Sequence, residues 1–306
     1  MQNNFDVLII GAGPAGCAAA TFIARCRWKS LAIDKSLEAG YLGSLGSVSY
    51  FPGFTEAISG RDLVGRMRRQ AEQVGVHFVA DSVTALAADS KPYRVMTDGG
   101  KEFEAQAVVV ATGAAARTNY LRGEREFLGR GVYHDALAYG PAVTKRTAAV
   151  IGKTKQAATE ALLLTRFAER VHVIIPSNKL DAEDALMNQL RANRNIELHF
   201  STSLKRIAGG EHVNSIIVFT GGQEKEIPVT GVFPYVHDYI PTTTFLGKTL
   251  DLAADGSVKV DRELATSVEG IFACGDVLCS RPQFPAVAAA QGLLAGMGVD
   301  KYLSSK

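Results

Sequence analysis

The feature that most restricts this chain is Val7-Leu8-Ile9-Ile10 running into Gly11-Ala12-Gly13-Pro14-Ala15-Gly16, with an alanine-rich stretch behind it. An apolar strand, a G-x-G-x-x-G loop and a helix in that order leave few folds open. Gly11 permits the tight turn, Gly13 lets a backbone approach a pyrophosphate, and Gly16 lets the helix pack close to the strand. The pyrophosphate then rests on unsatisfied N–H groups at the positive helix end. The next apolar strand, residues 30–34, ends on Asp34, where a carboxylate reaches ribose hydroxyls. A glycine turn without a ligand is the bland alternative, and the acid at the expected distance argues against it.

The same layout recurs at residues 148–166, followed by the apolar run 171–175. A strand–loop–helix–strand unit of about 30 residues is half of a doubly wound sheet, so two copies predict an α/β chain with two Rossmann-like, three-layer nucleotide-binding domains. Residues 107–111, 231–235 and 270–274 read as further strands. The 306 residues suffice for two domains, and a net charge of +2 gives no reason to expect nucleic acid or an anionic membrane as partner. The N-terminal apolar run belongs to the glycine motif rather than to a signal peptide, and no run reaches transmembrane length, which predicts a cytoplasmic protein. Four cysteines do not make a disulfide scaffold, so a disulfide here is expected to be redox-active.

Further motifs fall in one order along nearly the whole chain: Phe51-Pro52-Gly53-Phe54, Ala111-Thr112-Gly113, Leu121-Arg122-Gly123-Glu124, Gly129-Arg130-Gly131-Val132 and Gly275-Asp276. In this order and spacing the chain resembles the low-molecular-weight thioredoxin reductases. The resemblance implies an FAD domain made of residues 1–116 and 245–306, with an inserted NAD(P)H-type domain at 117–244, and a homodimer. It implies an FAD held by the loop Gly11, Gly13, Pro14, Ala15 and Gly16, by Asp34 and Lys35, and by Gly40, Leu42 and Tyr50. Val83, the Ala111-Thr112-Gly113 turn, and Gly275, Asp276, Phe284 and Ala286 complete that site. Asp276 would bind the ribityl chain, and the helix opening near Pro285 would point its N-terminus at the flavin pyrimidine ring, where reduced flavin is negative.

The departures from the family pattern bear on function. Its redox C-x-x-C should follow Gly131-Val132, but the aligned stretch is Tyr133-His134-Asp135-Ala136-Leu137-Ala138, with Asp135 and Ala138 in the cysteine positions. The second glycine loop reads Gly152-Lys153-Thr154-Lys155-Gln156-Ala157, so its middle glycine is Thr154. The family's H-R-R run for the NADPH 2′-phosphate is replaced by Ile175-Pro176-Ser177-Asn178-Lys179, and one lysine is no substitute for planar arginine forks. These losses argue against NADPH. Either the insert is now a scaffold, or another ligand has taken the site. Lys153, Lys155 and Lys179 supply charge and Tyr235, His237 and Tyr239 supply rings, in a combination that resembles the diflavin-linked disulfide oxidoreductases. That resemblance implies a second FAD in place of NADPH, lying against the first.

Cys274 and Cys279 bracket Gly275-Asp276, next to the expected flavin. Proximity to a helix N-terminus would favour a Cys279 thiolate, and five residues of separation allow a bond if the loop curls. The plain alternative makes Cys274 a small core residue and Cys279 a surface thiol. Cys17 and Cys26, on one helix, are too far apart to bond to each other; either could still pair with Cys274 or Cys279, but both read as packing residues. Arg66, Arg68 and Arg69 read as a solvated helix face. The local spacing of histidines, cysteines and acids suggests no metal site.

The expected activity is therefore NADPH-independent thiol/disulfide exchange with FAD through Cys274 and Cys279, with a thiol/disulfide protein or small molecule on one side and an electron carrier on the other. Two alternatives stay open: a pyridine-nucleotide-dependent flavin reductase without a disulfide, and an FAD-holding redox sensor without turnover.

Overall fold

The computed structural model describes residues 3–37, 40–45, 47–48, 50–116, 120–236, 239–279 and 284–306. His237 lies outside them. The chain divides into two compact units, Met1–Arg117 with Asp238–Lys306, and Thr118–His237. The α/β fold with two Rossmann-like sheets expected from the repeated motif is the fold observed. The chain returns to the first unit at Asp238 rather than at residue 245. The reason is a two-stranded ladder that ties residues 239–241 back to 114–116.

In the first unit β1 (Asn4–Ile10), α1 (Pro14–Arg25) and β2 (Ser30–Asp34) form the strand–helix–strand unit. Then come α2 (Gly40–Ser44), α3 (Gly60–Gln73), β3 (His77–Ala80), β4 (Val83–Ala87), β5 (Tyr93–Thr97), β6 (Glu102–Val110) and β7 (Ala114–Ala116). The sheet runs β3-β2-β1-β6-β5-β4, parallel from β3 to β6 and antiparallel through β5 and β4. Val7, Leu8 and Ile9 have no exposed surface, as expected of a strand covered on both faces.

The second unit contains α4 (Ala136–Tyr139), β8 (Thr147–Ile151), α5 (Lys155–Leu164), β9 (Arg170–Ile174), α6 (Asp184–Ala192), β10 (Ile196–His199), β11 (Ser203–Gly209), β12 (Val213–Thr220), β13 (Gln223–Pro228) and β14 (Gly231–Pro234). Its parallel sheet is ordered β10-β9-β8-β14, and β11, β12 and β13 form an antiparallel sheet. The apolar faces of both sheets share a core that includes Phe127, Ile174, Ile216 and Val232. A fully buried side chain of this size contributes about 1.5–3 kcal/mol.

The chain re-enters the first unit through β15 (Tyr239–Pro241), which pairs with β7, and β16 (Ile271–Ala273), which extends the large sheet beside β6. The last helix, α7 (Pro285–Ser304), crosses α1 with the backbones in close approach. A Cβ on Gly292 would lie 2.1 Å from the Ala15 carbonyl oxygen, so the alanine and glycine content of these helices sets how near they come. Among the described residues no helix is long and apolar enough to cross a membrane.

Candidate functional site

The end of β1 turns at Gly11, whose φ of +109° favours glycine and whose Cβ position lies 2.2 Å from the Ala111 carbonyl oxygen. A Cβ on Gly16 would sit 1.9 Å from the Gly11 oxygen, which is the close helix–strand packing expected of the third glycine. Gly13 differs: its φ is ordinary and a Cβ there meets nothing within 4 Å. The protein itself does not require glycine at 13, so the open cradle fits a ligand that comes against the backbone. No side chain caps α1, leaving its first N–H groups for an anion.

Asp34 braces this loop. Its Oδ2 accepts from the Ala12 N–H at 2.8 Å, and its Oδ1 accepts from Ser36 and Leu37 at 3.1 and 3.2 Å. A carboxylate has about four acceptor positions, so one remains for a ribose hydroxyl. The Asp81 N–H donates to the Asp34 carbonyl, which brings the segment leading into Val83 beside it. Lys35 is exposed just past the strand, and Leu42 is buried below the loop. Across the strand ends, Thr112 Oγ1 donates to Thr242 O and the Thr242 N–H donates to Gly113 O, which fixes the Ala111-Thr112-Gly113 turn. The Gly275 N–H donates to Gln291 Oε1 at 2.9 Å, tying the Gly275-Asp276 turn to α7. Tyr50 and Phe284 meet edge to face at 5.1 Å, joining the loop after α2 to the start of α7. Ala286 lies in the uncapped first turn of that helix. The residues placed above gather at the strand ends of the first unit, where the open Gly13 cradle and the uncapped start of α1 fit a dinucleotide such as FAD.

The second glycine loop is built differently. Gly152 is enclosed by the Tyr235 carbonyl and the Ala157 Cβ and keeps the turn tight. Thr154, however, caps α5, its Oγ1 accepting from the Ala157 N–H. The Asp181 N–H donates to Lys153 O at 2.7 Å, so the segment after β9 crosses the loop. Lys155 is paired with Glu183 at 2.5 Å, and this cation holds the Glu183 carboxyl below the usual range. Lys153, Gln156 and Lys179 are exposed. The expected ring cluster is corrected. Tyr235 is buried in the second unit, where burial and then the Glu160 and Asp135 carboxylates hold its phenol above the ordinary value, while Tyr239 lies on β15 of the first unit. Thr154 thus satisfies an N–H group at the start of α5, whereas no side chain caps α1.

The pyridine nucleotide-disulphide oxidoreductase family model matches residues 5–292. The thioredoxin reductase of Aquifex aeolicus is 36% identical over 304 residues, covering 99% of this chain and 94% of its own. The crystal structure of thioredoxin reductase from Streptococcus pyogenes superposes with a TM-score of 0.94 at 30% identity over the full length of both chains. The thioredoxin reductase from Giardia duodenalis gives 0.90 at 27% identity, covering 99% of this chain and all of its own. The chain belongs to the thioredoxin reductase family. It is a flavin-dependent oxidoreductase of that type.

The stretch that the sequence resemblance sets at the family's redox cysteines is a short capped helix. Asp135 Oδ1 accepts from the Ala138 N–H at 2.7 Å and caps α4. Beside it, His134 Nε2 meets Glu124 Oε1 at 2.8 Å, and Glu124 Oε2 accepts from the Leu121 N–H. None of the four cysteines is in a disulfide. Cys274 and Cys279 flank one 3-10 turn, Gly275–Leu278. Cys274 is fully enclosed in the apolar cluster between the sheet and α1 and α7, which pushes its thiol up to about 12. Its environment is therefore the core position of the plain alternative. Cys279 is partly exposed, with Sγ 3.8 Å from Asp276 O. Cys17 is buried, and burial pushes its thiol up to about 12 as well. Arg68 is not simply solvated, since its Nη1 donates to Leu37 O.

Sequence reasoning missed one group. His172, Glu197 and His199 converge on one face of the second unit's parallel sheet. The available signal was the i, i+2 spacing of Glu197 and His199 in a strand, but their partner is supplied only by the β9–β10 register, which pairs Glu197 with His172.

Proposed function

We propose that this chain exchanges electrons between an FAD held by its first unit and a thiol/disulfide partner, through Cys274 and Cys279 and without NADPH. The observation that carries the reading is the capped turn at Asp135 and Ala138. It leaves the disulfide chemistry of the family to other cysteines, and among the four only Cys274 and Cys279 bracket the Gly275-Asp276 turn of the FAD region. A flavin bound there supplies a two-electron counterpart. Two thiols that join as a disulfide release two protons and two electrons, and the reverse consumes them, with potentials setting the direction. Cys279, partly exposed, meets the partner's sulfur, and the buried Cys274 completes the pair once the turn opens.

Independence from NADPH is supported by Thr154 at the middle glycine, by its cap on α5, and by the absence of arginine at residues 175–179. Exposed Lys153, Gln156 and Lys179 support a second FAD on the inserted unit, which would hand electrons to a further carrier. Homodimerisation is supported by Leu293, Leu294 and Met297, large apolar side chains exposed on α7.

The test is the ratio of FAD to protein after purification, together with thiol titration before and after reduction. About two flavins per chain and two thiols lost on oxidation support the reading. One flavin with unchanged thiols favours an FAD-holding sensor and overturns it.

A further inference from the structure

We propose that His172, Glu197 and His199 form a binding site for a late first-row divalent cation, zinc above all. The site is on the inserted unit and separate from the flavin region. His172 lies on β9, and Glu197 and His199 lie on the neighbouring β10, the edge strand of the parallel sheet. Side chains two apart on a strand share a face, and the register sets Glu197 opposite His172, so all three project to one side.

The spacing of the candidate ligand atoms is that of a coordination shell. His172 Nδ1 and His199 Nε2 are 3.0 Å apart. His172 Nδ1 to Glu197 Oε2 is 3.4 Å, and His199 Nε2 to Glu197 Oε1 is 3.4 Å. Four-coordinate zinc with bonds of about 2.0–2.1 Å has ligand–ligand edges of about 3.3 Å. The two Glu197 distances end on its two different oxygens; taking one ligand atom from each residue, all lie within 4.8 Å of one another, close enough to share one ion and leave a further position for water. Two imidazoles and one carboxylate suit zinc, cobalt, nickel or copper(II) rather than magnesium or calcium, which prefer oxygen alone.

One cation competes for the carboxylate: Arg170 Nη1 stands 3.8 Å from Glu197 Oε2. Without metal His172 and His199 share a hydrogen bond, and the Glu197 carboxylate lies 3.4 Å from each ring. With it, the edge strand is clipped to its neighbour.

Equilibrium dialysis of the chelator-treated flavoprotein against zinc, with total metal analysis, tests this. About one zinc per chain is expected, with affinity reduced at least about tenfold in His199→Gln and Glu197→Gln. The thermal midpoint should rise with zinc in the unaltered protein and not in these variants. Glu197 is exposed, so Glu197→Gln is expected to fold and retain flavin even if a histidine variant does not. Zinc bound equally by all three proteins, zinc lost only when cysteines are blocked, or no zinc bound at all overturns the proposal.

Discussion

Asp135 and Ala138 are joined by a hydrogen bond of 2.7 Å from the Ala138 N–H to the Asp135 carboxylate, at the two positions where the family resemblance expects a redox disulfide. A capping carboxylate stabilises the first turn of a helix. Asp135→Ala should therefore lower stability by about 0.5–2 kcal/mol in urea unfolding while leaving dithiol-driven flavin reduction intact. Loss of that reduction would return the chemistry to this turn.

Gly13 and Gly16 make contrasting predictions. Gly16→Ala places a Cβ 1.9 Å from the Gly11 oxygen and should destabilise the protein by about 1–3 kcal/mol or more with or without FAD. Gly13→Ala meets no protein atom within 4 Å, so the apoprotein should melt as before while FAD affinity falls. Melting curves of the apoproteins and fluorescence titration with FAD separate the two effects.

Asp34 ties the glycine loop to the residues after β2 through three N–H groups. Asp34→Ala removes those bonds and the remaining acceptor position together. Bound flavin, read from the ratio of flavin to protein absorbance, should fall about tenfold at limiting FAD.

Burial pushes the Cys274 thiol up to about 12, so it stays protonated at neutral and mildly alkaline pH. Iodoacetamide at about pH 8, below the ordinary thiol value, should label Cys279 in the native reduced protein and Cys274 only after denaturation. The raised value in the folded state also means that the stability linked to the protonated thiol is complete below about pH 8.5. It should be lost as pH climbs toward 12, visible as alkaline destabilisation that Cys274→Ala diminishes.

Much of the fold was legible because strand, glycine loop and helix are local patterns. Gly11 and Gly16 have local roles, and their contacts match those roles. What escaped depends on pairing between distant segments. The return at Asp238 follows from β15 joining β7, and the His172–Glu197–His199 group follows from the β9–β10 register; neither has a local signature. Tyr235 was misread for the same reason. Its residue type suggested a ring open to a ligand, but the end of β14 buries it beside Glu160 and Asp135. The cap at Asp135 was readable in principle, since an acid just before Ala136-Leu137-Ala138 is a helix-start signal.

The most direct test of pyridine-nucleotide independence is anaerobic reduction of the bound flavin, followed by its absorbance, with NADPH and with a dithiol in parallel. The dithiol should bleach the flavin in the unaltered protein and not in Cys279→Ser, while NADPH leaves it oxidised. Rapid bleaching by NADPH, with the dithiol inert, would contradict both the lost nucleotide site and the role given to Cys274 and Cys279.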